Sequence, residues 1–135
     1  MKSDHDGRVN VESEADIVIV RRAVRDAAKG LGFGVTDLTR IVTAVSELAR
    51  NIVLYAECGV VRWEGLHVQG VRGIELVFED QGPGIADLEL ALEKGYSTGG
   101  GLGLGLPGAR RLMDEMEIES KPGEGTRVTV RKWQR

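Results

Sequence analysis

The sequence predicts a two-layer α/β sandwich, a mostly antiparallel sheet with helices on one face. Three observations predict it. Two segments repeat apolar residues every three and four positions, as helices with one buried stripe do. Several others alternate or run apolar over strand lengths and sit next to each other in sequence, joined by glycine-containing turns, so they build hairpins. Finally, 135 residues with 41% hydrophobic content match one domain, residues 1–135, able to close its own core.

Taken in order, Val9 and Val11 alternate with polar neighbours and form a short edge strand. From Ser13, a plausible N-cap, Ile17, Val20, Val24, Ala27 and Leu31 mark a helix with arginines and a lysine on its other side, stopped by Gly30 to Gly34. A second helix opens with Thr36 as cap and runs to about Tyr55, with Leu38, Ile41, Val45, Leu48 and Ile52 as its stripe. Strand content then rises from Val60 to Val68, turns near Gly70 to Gly73 and resumes at Ile74 to Phe78. Glycines crowd residues 82 to 105, too many for a regular element, although Leu88 to Lys94 has the makings of a short helix; the segment reads as a mobile loop. Pro107 suits a first helical turn before Ala109, Leu112 and Met113. Two last strands, Met116 to Ser120 and Gly125 to Trp133, flank a Pro122-Gly-Glu-Gly125 turn.

Composition excludes several functions. With 18 Lys+Arg against 21 Asp+Glu the net charge is −3 and no basic block exists to grip nucleic acid. Apolar runs are short and Met1 to Gly7 is charged, so neither a membrane span nor a secretory leader is expected and the expected location is cytoplasmic. Cys58 stands alone, and His5 and His67 are far apart, which leaves no structural zinc site.

Three places have chemical potential. Glu47 and Asn51 stack four apart on one edge of the second helix; a carboxylate there can take a proton or orient a nucleophile, and an amide oxygen suits magnesium, though the same spacing serves a plain helix-edge hydrogen bond. Asp80 ends a strand before Gly82 and Gly84, giving an acceptor beside backbone that a flat ligand can approach, or simply a tight turn. Gly99-Gly100-Gly101-Leu102-Gly103-Leu104-Gly105 exposes backbone N–H groups ahead of a helix at Pro107, an anion cradle. Gly103 to Gly108 also fits a dinucleotide fingerprint formally, but no strand precedes it, and neither a P-loop nor the eukaryotic-type kinase motifs occur.

Read in order, Glu47-Leu-Ala-Arg-Asn51, Asp80-Gln-Gly82-Pro-Gly84, the 99–105 glycine run and Gly123-Glu-Gly125-Thr126 resemble the sequence boxes of the GHKL (Bergerat-fold) ATP-binding superfamily over nearly the whole chain. Within it, Glu47 to Ile52 with Tyr55-Ala56, and Ser97 to Asp114, are similar to the RsbT-type switch serine/threonine kinases, relatives of the anti-sigma factor kinases. The resemblance implies ATP and Mg²⁺ as cofactors. Asp80 would accept from the adenine amino group, Gly82 and Gly84 would let the base pack, and Thr126 would assist at the base through its hydroxyl or a water. Asn51 would hold magnesium, Glu47 would act as base or orienter, and residues 85–105 would form a lid over the phosphates. It also implies a STAS-domain antagonist as protein substrate and a PP2C-type phosphatase regulator as a further partner. Sigma-factor sequestration and ATP-gated binding without chemistry are the rival expectations. One departure is that Gly99 to Leu106 carries no charge, whereas related anti-sigma kinases have an arginine there; Lys94, Arg110, Arg111 and Arg50 are the cations nearby in sequence.

Overall fold

The computed structural model describes residues 5–82 and 106–134. Strand β1 (Gly7–Val11) leads into helices α1 (Glu14–Gly30) and α2 (Val35–Tyr55), then β2 (Gly59–Val68), β3 (Val71–Asp80), α3 (Leu106–Leu112), β4 (Glu115–Lys121) and β5 (Gly125–Trp133). The five strands form one sheet in the order β1-β2-β3-β5-β4, every neighbouring pair antiparallel. This is the expected α/β sandwich.

Side-chain alternation divides the sheet into two unlike faces. On one, Val61, Trp63, Leu76, Phe78, Val128 and Val130 join Ile17, Val20 and Val24 of α1 and Leu38, Ile41, Val45, Leu48 and Ile52 of α2 in a single buried core. On the other, Arg131 binds Glu75 at 2.7 Å and Glu115 at 3.2 Å, while Arg127 binds Glu79 at 2.9 Å and Glu119 at 3.5 Å. These cross-strand ion pairs let the second face stand in water, with no helix of the described residues over it.

Helix starts are refined by the structure. Ser13 occupies the N-cap of α1, but its backbone neighbour is satisfied by Asp16, whose carboxylate accepts from the Glu12 N–H at 2.9 Å. The N-cap of α2 is Gly34 rather than Thr36, which lies inside the first turn because Leu38 donates its N–H back to the Gly34 carbonyl. The β2–β3 turn is Gln69-Gly70, tighter than the expected Gly70 to Gly73; both residues have positive φ, 51° and 80°, as a two-residue hairpin with the sheet's twist requires. Buried Lys132 ties three elements together, donating to the Leu112 carbonyl at the end of α3 (3.0 Å) and lying 3.5 Å from Asp114 and 3.8 Å from Asp37 of α2. The end of α3 and the start of α2 are thereby fixed to β5. No helix among the described residues is long and apolar enough to cross a membrane.

Candidate nucleotide site

The core face of the sheet is built in rows across β3, β5 and β4. Leu76 faces Val130, which faces Met116; Phe78 faces Val128, which faces Ile118; and Asp80 faces Thr126, which faces Ser120. Two apolar rows are thus followed by a polar one at the end of the sheet. The third row borders a cleft of about 500 Å³ lined by Asp80, Gln81, Ser120, Gly125 and Thr126 among others.

Asp80 is half-buried. Its Oδ1 accepts the Gly82 N–H at 2.9 Å, and the Thr126 N–H also bonds the carboxylate. Burial nevertheless dominates and pushes the Asp80 carboxyl above the usual aspartate range, with the two N–H donors pulling the other way. Close backbone approach keeps it in place. A Cβ on Gly59 would strike the Glu79 carbonyl and come within 2.8 Å of Ile52 Cγ2, and a Cβ on Gly125, whose φ is +86°, would strike the Asp80 carbonyl. A Cβ on Gly82 would come within 2.7 Å of the Ala56 Cβ. Glycine at 59, 82 and 125 therefore lets β2, the α2 C-terminus and the β4–β5 turn close around one carboxylate.

Through Ala56 and Ile52 the last turn of α2 packs against the Asp80 segment, which sets Asn51 and Glu47 farther along the same helix. At 1.5 Å per residue Asn51 is about 8 Å and Glu47 about 14 Å from Ala56 along the axis. Neither Asn51 nor Glu47 lines the cleft beside Asp80. Asn51 is partly buried, and Glu47 stays 40% exposed, 3.8 Å from Arg50 at i+3. Arg50, one of the cations near the site in sequence, is itself 42% exposed in this contact. Arg110 and Arg111 are exposed on α3. Gly84, Gly99, Gly100, Gly101, Leu102, Gly103, Leu104, Gly105, Lys94, the short helix expected at 88–94 and the lid expected at 85–105 lie outside the described residues.

Asp80, Gly82 and Thr126, singled out in sequence, are brought together by the fold. Ser120 and Gly59 were missed. The signal for Ser120 was present: Met116, Ile118 and Ser120 share one face of β4 by alternation. Gly59 carries no such signal, since its importance comes from a packing contact across strands.

Residues 36–135 match the family model described as histidine kinase-, DNA gyrase B- and HSP90-like ATPase. The chain belongs to this family. It is 51% identical over 127 residues to the serine/threonine-protein kinase RsbT of Bacillus subtilis (strain 168), covering 94% of this chain and 96% of that protein. It is 31% identical over 119 residues to an anti-sigma F factor of Caldanaerobacter subterraneus subsp. tengcongensis, covering 84% and 82% respectively. A crystal structure of the RsbU and RsbW domains of Rv1364c from Mycobacterium tuberculosis shares the fold, with a TM-score of 0.60 at 19% identity over 96% of this chain; the chain spans a third of that one. Within the ATPase family the chain is an enzyme of the RsbT type, a protein serine/threonine kinase. The matched span includes the glycine-rich segment.

Proposed function

We propose that the chain binds ATP with adenine against Asp80 and phosphates toward Asn51 and Glu47, and transfers the γ-phosphoryl group to a serine or threonine of a STAS-domain antagonist. Release from that antagonist frees the kinase to engage a second partner, a PP2C-type phosphatase regulator. The observation that carries this reading is the polar third row: a half-buried carboxylate facing Thr126 and Ser120, closed in by glycines, at the sheet end where the C-terminus of α2 packs.

In this reading Asp80 accepts a hydrogen from the adenine amino group, and Gly82, without a side chain, leaves room for the ring. Thr126 completes the base contact directly or through a water. Asn51 offers an amide oxygen to Mg²⁺, which, when bound, neutralises phosphate charge. Glu47 holds or takes the proton of the attacking hydroxyl as its oxygen bonds to the γ-phosphorus and the bond to the β-phosphate oxygen breaks, releasing ADP. Identity of 51% to a kinase against 31% to an anti-sigma F factor supports phosphoryl transfer over sequestration of a sigma factor.

A pull-down from native extract with and without Mg·ATP, followed by phosphosite mapping, tests the whole reading. Phosphate on a serine or threonine of a co-purifying STAS protein is the expected result. A sigma factor as the sole captured partner, with no transfer, would replace the kinase reading by sequestration.

A further inference from the structure

Helix α1 buries Ile17, Val20 and Val24 in the core, yet Val18 and Ile19 between them stay 55% and 53% exposed. β-branched residues at exposed helical positions add neither burial nor helix propensity, so folding does not account for this pair. One turn later the same outward face becomes basic. Val18, Arg22, Arg25 and Lys29 follow one another at i, i+4, i+7 and i+11 with Arg21 beside them, all exposed, and Asp26 is the one carboxylate in that stretch. Arg62, Arg127 and Arg131 on the sheet, and Arg40 and Arg50 on α2, each face a carboxylate. The four cations of α1 have no ion pair with any described residue.

We infer that the outer face of α1 is a docking surface for an acidic helix of a protein partner. At 1.5 Å per residue, Arg22, Arg25 and Lys29 lie about 6, 10 and 16 Å from Val18 along the axis. A helix laid along this ridge matches it with an apolar residue against Val18 and Ile19 and carboxylates about one, two and three turns away, in either chain direction. The apolar pair supplies the dry contact, and the unpaired cations select acidic partners and fix their orientation. An anionic membrane is the poorer match. The apolar stripe of α1 is turned into the core, and its first turn carries Glu14 and Asp16, which a lipid surface of the same sign repels. A partner helix that ends over Val18 avoids both. No residue of α1 lines the cleft beside Asp80, so docking here leaves that cleft open and does not depend on the nucleotide reading.

The test starts from the full chain with Val18 replaced by the photoreactive p-benzoylphenylalanine, irradiated in native extract. The expected product is an adduct to a protein segment, sequenced by mass spectrometry, that holds an apolar residue and carboxylates four, seven and eleven residues from it. That segment, synthesised as a fluorescent peptide, is then the probe for binding to the full chain without the photoreactive group. Its affinity should fall about tenfold in the double variant Arg22→Glu, Arg25→Glu, where two exposed pairs turn from attraction to repulsion, and should be unchanged in Arg72→Glu on the β2–β3 hairpin. A peptide with its carboxylates replaced by lysines should bind the double variant again. Wild-type affinity should also weaken as salt rises, a reading that needs no variant. No adduct, or adducts only to lipid or to segments without carboxylates, would overturn the proposal. So would a peptide affinity that neither charge reversal nor salt changes.

Discussion

Glu79 and Asp80 are adjacent in β3, yet their carboxyls lie on opposite faces of the sheet in opposite electrostatic settings. Glu79 sits on the open face, hydrogen-bonded by Arg127 at 2.9 Å and flanked by Arg62, and these guanidiniums hold it below the usual glutamate range. Asp80 faces the helix layer, where burial pushes it up. Strand alternation alone separates them. One carboxylate thereby joins β2, β3 and β5, and the next, held by the Gly82 and Thr126 N–H groups, faces the cleft.

Their linkages to pH have opposite signs. Glu79, lowered in the fold, stabilises above the usual glutamate range and loses that contribution as pH falls through its depressed value; being partly exposed, it is worth under about 1 kcal/mol. Asp80, raised in the fold, favours the folded state when protonated, so its contribution falls as pH rises from the usual aspartate range through its raised value. Thermal unfolding without nucleotide should therefore show Asp80→Asn more stable than wild type at neutral pH and lose that advantage in acid. Equal melting temperatures at neutral pH would mean that the carboxylate is not under desolvation stress.

ATP binding should show the reverse preference. An ionised Asp80 is needed as acceptor, so affinity should weaken as pH falls into the raised titration range. Asp80→Asn or Asp80→Ala should lose about ten- to a hundredfold in affinity, equivalent to roughly 1.5–3 kcal/mol for a hydrogen bond to a charged group, without unfolding. Isothermal titration across pH, with the Asn variant as the pH-independent control, makes the measurement. Wild-type affinity in a folded variant would remove adenine from this end of the sheet.

Much of this was legible before the fold. The stripes of α1 and α2, the hairpins and the Gly125–Trp133 strand follow from periodicity that burial enforces, and Asp80 declared itself by ending an apolar strand before a glycine. The start of α2 was misplaced because Thr36 has the preferred capping side chain, whereas Gly34 has the extended backbone, φ −80° and ψ 174°, that the N-cap position requires. The row Asp80–Thr126–Ser120 depends on the register between β3, β5 and β4, and single-strand patterns do not fix register.

Gly125 is the backbone hinge of that row. With φ at +86° and the Asp80 carbonyl in the path of any Cβ, Gly125→Ala combines left-handed strain with a backbone clash. A loss of about 1–3 kcal/mol in denaturant unfolding is expected. Gly123→Ala, at φ +79° with open space around it, should cost less, because only the strain applies. Equal losses at the two positions would show that the close approach to Asp80 contributes nothing.

The last prediction separates chemistry from binding along α2. Glu47→Gln keeps the shape and one acceptor of the side chain but cannot take a proton, so ATP affinity should stay within a few-fold while transfer to the protein substrate falls by about 10² to 10⁴. The substitution also removes the charge that Arg50 faces at 3.8 Å; Arg50→Ala is the control, because a fall in transfer owed to the lost ion pair would appear there as well. Asn51→Ala removes a ligand oxygen, so its loss is felt in the ground state as weaker magnesium-dependent ATP binding. Phosphoryl transfer depends heavily on positioning and electrostatics, and a modest residual rate in the Gln variant fits that. Full transfer by Glu47→Gln would place the proton acceptor elsewhere, and magnesium-dependent affinity untouched by Asn51→Ala would take the metal away from this helix.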